Sequence, residues 1–161
     1  MSNDGPPMPK PTPEHIQLME DVGRWNVACT FFMAPDQPPM QSDAVEVVEA
    51  VGDFWVVSRF ESSFCGMPFV GRATAGFEPH TGKYVTTWID CMAPALSHMT
   101  GTRTGDTLTM LGDSFSCITN SMLPHRMTIK RISANERIFD MYCTLPDGHE
   151  IKIMSNHYRR A

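Results

Sequence analysis

Trp88 and Asp90 stand two residues apart in Lys83-Tyr84-Val85-Thr86-Thr87-Trp88-Ile89-Asp90, a segment that alternates as a strand does, so they share one face. An indole on such a face walls an apolar cavity or fills core. A carboxylate beside it needs a cation, water or a place at a rim. Left free in a cavity, Asp90 would be the base of a lyase or isomerase. Arg126 is the expected partner. A two- or four-residue turn around Ala134-Asn135 puts it on the face of Met141 and Cys143, and a three-residue turn puts it outside. Facing inward, its guanidinium would grip a ligand carboxylate with two parallel bonds. Ser155 and His157 share a face of the last strand with Ile151 and Ile153. Pairing Leu145 with His149 carries that face to Met141 and Cys143. Phe60, from a third strand, completes the expected ligand-binding set.

These side chains need strands to position them. Glu78-Pro79-His80-Thr81-Gly82-Lys83 has the residues of a tight turn, Pro presetting φ and Gly taking a positive φ. The register that follows sets Phe77 opposite Tyr84, Ala75 opposite Thr86, Ala73 opposite Trp88 and Gly71 opposite Asp90. Small residues then face large ones along one side, as a narrow barrel interior requires. Before this hairpin, Trp25, Val27, Cys29, Phe31 and Met33 alternate with polar or small residues. Ser42–Val51 follows, with Val45, Val47 and Glu49 on one side, then Phe54–Phe64. After it come Leu96–Arg103, Thr107–Gly112, a weaker Ser114–Asn120, Arg126–Ile132, Arg137–Leu145 and His149–Tyr158. Pro146-Asp147-Gly148 marks the last hairpin turn. About ten antiparallel strands without crossovers make a meander that closes as an up-and-down barrel or packs as two sheets, and the barrel is the expected form. Residues 1–11 read as a disordered Pro-rich arm. Residues 12–161 read as one domain, opened by a short helix with Thr12 as N-cap, Pro13 at its first position and Gly23 after its end.

Composition narrows the function classes. The 161 residues suit a single domain, and a net charge of −5 with no basic run argues against nucleic acid. No apolar run reaches the length of a membrane span, and the polar N-terminus does not read as a signal peptide. Five cysteines without a C-x-x-C pair read as reduced, mostly buried thiols of a cytoplasmic protein. Cys65, Cys91, Cys117 and Cys143 are spaced 26 residues apart, the spacing of a meander. The histidines show no zinc spacing, so no metal is expected. No G-x-S-x-G, P-loop or dinucleotide fingerprint is present. Thirteen methionines suit an irregular core or a permissive apolar pocket.

Several pieces carry a family resemblance: Gly23-x-Trp25, Gly66-Met67-Pro68-Phe69-x-Gly71, Gly76-Phe77, Lys83-Tyr84-Val85-x-x-Trp88-Ile89-Asp90, Gly101-Thr102, Arg126, Asp147-Gly148 and Met154-x-x-x-Tyr158-x-Arg160. From Gly23 to Arg160 their order resembles an uncharacterised bacterial family of lipocalin-like, calycin-like barrels, domain of unknown function 1579. The resemblance implies a barrel whose floor is closed at Trp25 and no agreed activity. The leading expectation is a binding module for a small, largely apolar ligand, with or without an anionic end. The alternatives are an enzyme, through haem or through Asp90, and an interaction protein with a solid core. Haem-binding barrels of the nitrobindin type ligate iron through one late histidine, which here would be His157; no other cofactor is expected. Assembly of several copies is left open.

Overall fold

The computed structural model describes residues 5–161, so the expectation for residues 1–4 of the arm lies outside the described residues. Residues 5–11 are exposed and form neither helix nor strand. The chain then runs α1 (Pro13–Met19), β1 (Gly23–Phe31), β2 (Met40–Val51), β3 (Trp55–Phe64), β4 (Met67–Glu78), β5 (Lys83–Asp90), β6 (Ala93–Thr104), β7 (Thr107–Ser116), β8 (Ser121–Ser133), β9 (Glu136–Thr144) and β10 (Glu150–Arg160). Each strand pairs antiparallel with its neighbours in sequence, and β1 pairs with β10, so the meander closes into a ten-stranded barrel with no free edge. No helix among the described residues is long and apolar enough to cross a membrane.

The β4–β5 hairpin has the expected register throughout, from Glu78 opposite Lys83 to Gly71 opposite Asp90. Glycine at 71 is a matter of space: an added Cβ would lie 2.2 Å from the far edge of the Trp88 ring. The expected break near Gly112 is absent. β7 runs on to Ser116, the chain turns through Asn120 (φ 52°), and β8 starts at Ser121 rather than at Arg126. Gly112 does not end a strand. It lets β7 lie close to β6, where a Cβ would meet the His98 carbonyl at 2.1 Å.

Alternation puts Trp25, Val27, Cys29 and Phe31 inside as expected, but on β2 it is Ala44, Glu46 and Val48 that are buried. The expected Val45, Val47 and Glu49 side is the outer one. Valine at 45, 47, 48 and 51 gives β2 two apolar faces, and a buried partner for Glu46 settles which one turns inward. The core has two clusters. Trp25, Val27, Val48, Val56, Phe60 and Tyr158 form one with Leu18 of α1. Tyr84, Met99, Leu108, Met110 and Met127 form the other, and Phe139 packs against both.

α1 covers one end. The Thr12 N–H and hydroxyl both bond His15 Nδ1, and His15 Nε2 donates to the Phe77 carbonyl at 2.9 Å. His15 is therefore both helix cap and anchor to β4, and it is buried edge-on against Phe54 and Phe77. Behind it lies a polar floor. Trp25 Nε1 donates to the Asp21 carbonyl, and the Arg137 and Arg160 guanidinium carbons lie 4.5 and 4.2 Å from the centre of the Trp25 ring. Arg137 bonds Glu46 at 2.6 Å and Asp21 at 3.1 Å, while Arg131 bonds Glu20 and Asp21. Burial pushes the Glu46 carboxyl up against the pull of Arg137. The cysteines are unpaired, but three of them are exposed rather than buried. Cys65, Cys91 and Cys117 lie in the alternate turns at the end away from α1, and only Cys29 and Cys143 are buried.

Candidate functional site

The interior is the site that the strands enclose. Phe60, Trp88 and Met141 point into it. Phe60 and Phe69 flank Trp88, Phe60 edge-on at 6.1 Å and Phe69 stacked at 6.5 Å, making an aromatic wall across β3, β4 and β5. Around and opposite this wall, several inward-facing residues are only partly buried: Ala73, Ala75, Thr86, Trp88, Phe139 and Met141. A side chain that points into a closed barrel and retains accessible surface borders space that protein atoms do not fill. Ala73 and Ala75 stand on one side of the interior, and Phe139 and the adaptable Met141 stand on the other.

Asp90 shares the inner face with Trp88 but is held at the rim. Trp88 Nε1 donates to Asp90 Oδ2 at 2.8 Å, and the Met92 and Ala93 N–H groups donate to Oδ1 at 2.8 and 3.0 Å. Both oxygens are thus committed to the indole and to the β5–β6 turn. Asp90 makes no pair with Arg126, and it is not a free base.

Arg126, Ser155 and His157 were expected inside and lie outside. Arg126 pairs with Tyr142, stacks over its ring at 4.0 Å, and bonds Glu150 through Nε and Nη2 at 3.0 and 2.6 Å. Ser155 lies opposite Asp140, and His157 bonds Glu136 beside an open outer concavity of about 480 Å³ on β10, β1 and β2. The cause is the same on both strands. Of the turn lengths left open, the two-residue turn at Ala134-Asn135 is the one that forms, but a β-bulge between Arg131 and Ser133 inserts Ile132 and reverses the parity of everything before it. On β10 a second bulge inserts Ile153 between Lys152 and Met154. Ile151 still faces Cys143, but Met154, Asn156 and Tyr158 then take the inner positions opposite Met141, Phe139 and Arg137. With His157 outside, the haem arrangement through that residue does not form.

The same bulges bring in residues that alternation alone had placed outside. Asn156 is 4% exposed and its Oδ1 has no hydrogen-bond partner among the described residues; buried Ser58 Oγ is in the same position. A buried polar atom left unmet costs about 1–3 kcal/mol. On the opposite wall, Ser97 of β6 bonds Ser114 of β7 at 2.6 Å, and Ser114 pairs with Leu123, two residues before inward His125. His125 is 4% exposed, and its Nδ1 lies 2.8 Å from the Leu123 carbonyl. Its sequence signal was its alternation with Met127 and Ile129, which assigns it to the inner face once β8 is extended back to Ser121.

A ten-stranded up-and-down barrel, floored by a short helix and lined by an aromatic wall and a polar one, defines the class of this protein. Within that class the chain belongs to the family described as protein of unknown function DUF1579, which it matches over residues 10–160. Its fold is similar to that of Rv2717c from M. tuberculosis (14% identity, TM-score 0.68, covering 93% of this chain and 98% of that one). It is also similar to the S-type phycobiliprotein lyase CPES from Guillardia theta (11% identity, TM-score 0.59, covering 94% and 98%). A de novo designed fluorescence-activating β-barrel aligns over 89% of this chain and 95% of its own, with 13% identity and a TM-score of 0.49. No curated protein matches the chain.

Proposed function

We propose that this protein binds a small, largely apolar molecule inside its barrel, as lipocalin-like proteins of the calycin type do. The observation that carries the reading is the incomplete burial of inward-facing Ala73, Ala75, Thr86, Trp88, Phe139 and Met141 between two otherwise packed clusters. Of the residues first expected to contact the ligand, Phe60, Trp88 and Met141 serve as its walls. Asp90 orients the indole, and Arg126, Ser155 and His157 belong to the outer surface. The unpaired cysteines favour a reducing compartment such as the cytoplasm.

The test is direct. Protein purified without detergent is extracted with organic solvent, and the extract is analysed by mass spectrometry. Stripped protein is then titrated with apolar aromatic probes while the emission of Trp88 is followed in a Trp25→Phe, Trp55→Phe background. A stoichiometric extracted compound, or saturable quenching lost in Ala73→Leu/Ala75→Leu, supports the reading. No extracted compound and no saturable change with any probe refutes it.

A further inference from the structure

We propose that His125 is the polar contact of the interior, and that it selects an apolar ligand carrying a neutral hydrogen-bond donor, a hydroxyl or an N–H, over a carboxylate. The inference rests on the cavity reading and adds to it the chemistry of the ligand's polar end.

The position of the ring proton is set by a neighbour. The Leu123 carbonyl can only accept, so Nδ1 of His125 carries the hydrogen of their 2.8 Å bond. Burial holds the imidazole pKa below its ordinary value, so the ring is neutral and Nε2 keeps its lone pair. Among the described residues His125 makes its hydrogen bond through Nδ1 alone, and Nε2 is not among the fully enclosed polar atoms left without a partner. Its cross-strand partners are Gly112, which β6 packs against closely, and the small, fully buried Cys143, and neither offers the ring a hydrogen-bonding oxygen or nitrogen side chain. What His125 presents to the interior is therefore a fixed acceptor.

Asn156 Oδ1, also unmet, lies at another level of the barrel: Asn156 faces Phe139, four residues along β9 from the Cys143 that faces His125. The interior arginines do not offer a carboxylate a partner at this place. Arg131 and Arg137 are bonded to carboxylates. Arg103 has an unmet Nε, but it lies over the Tyr84 ring at the end covered by α1, and its partner on β7 is Leu108, four residues from the Gly112 that faces His125. An anion placed against the Nε2 lone pair would be buried unpaired, whereas a hydroxyl or N–H would satisfy that acceptor. Among the described residues, no three His, Cys, Asp or Glu side chains group as a metal site around this imidazole.

Three matched naphthalenes test the proposal: 1-naphthol, 1-methoxynaphthalene and 1-naphthoate, titrated by calorimetry into the stripped full-length protein at about pH 7.5. 1-Naphthol should bind at least about tenfold more tightly than its methyl ether, since tenfold is about 1.4 kcal/mol and one buried hydrogen bond supplies that much. 1-Naphthoate should bind more weakly than either. In His125→Leu the naphthol preference should vanish while affinity for the ether holds, and His125→Gln should restore part of it. Equal affinity for naphthol and ether, or tightest binding of naphthoate, overturns the assignment and leaves the cavity reading intact. Failure of all three to bind removes both. Should His125→Leu fail to fold, nitrogen NMR of the wild-type imidazoles decides. His125 must be the Nδ1–H tautomer, and its Nε2 resonance must shift with naphthol and not with the ether. Addition of haemin producing a Soret band that His125→Gln removes would make Nε2 a metal ligand and overturn the hydrogen-bond role.

Discussion

His125 connects interior chemistry to stability. Folded, it stays neutral below its ordinary pKa; unfolded, it takes a proton as pH falls through about 6.5. In that window the unfolded state binds more protons, so this residue makes stability fall with falling pH. The melting temperature should drop between about pH 7.5 and 5.5, and His125→Gln should remove part of that slope in parallel thermal melts. A slope unchanged by the substitution would mean the ring is not held neutral. The floor has different energetics. Arg137→Met alone strands Glu46 in the interior and should cost about 3–5 kcal/mol in urea unfolding. Arg137→Met combined with Glu46→Leu should cost less than the two single changes together, because the orphaned charge goes with its partner. Strict additivity would deny the coupling that the 2.6 Å contact implies.

At the level of elements, the β-bulges decide which side chains meet. The β4–β5 hairpin could be read from sequence residue by residue because Pro79 and Gly82 mark its turn and no extra residue interrupts its ladder. The site could not, because both inserted residues are isoleucines, good strand formers that leave the alternation unbroken on either side. Simple alternation therefore assigns Arg126 and His157 to the wrong face and passes over Asn156 and Tyr158. Glu46 escapes it for another reason: two apolar faces on β2 leave the burial of either to a partner ninety-one positions away. Deleting Ile153 should shift Asn156 and Tyr158 out of the core and His157 into it. Circular dichroism should show lost β structure or a melting temperature lowered by many degrees, and a stable variant would mean the register is set elsewhere. The helix behaves differently from the chain before it. Removing residues 1–11 should leave the melting temperature unchanged, whereas His15→Ala, which loses the Phe77 carbonyl bond and two aromatic contacts, should lower stability by about 1–3 kcal/mol. Equal effects would mean the arm packs on the barrel.

On the scale of the whole molecule, the barrel is chemically polarised. α1 and the Arg131–Arg137 network close one end, and Cys65, Cys91 and Cys117 ring the other. A thiol reagent should titrate three cysteines in the native protein and five after denaturation. Both buried thiols should react slowly, as burial pushes Cys143 up and Cys29 up to about 11. Five fast thiols in the native state would mean that the interior opens readily. The seam between β1 and β10 joins the two ends of the chain. Trp25 sits near the start of β1, yet the side chains that roof it, Arg137 and Arg160, and its closing ladder on β10 arrive at the far end. During synthesis every earlier strand can pair with its predecessor, but β1 waits with one edge bare until the last strand leaves the ribosome. The growing chain is thus an open, sticky sheet until β10 is made, and a chain cut short before β10 has two unpaired edges, which makes it a substrate for chaperones and proteases rather than a smaller barrel.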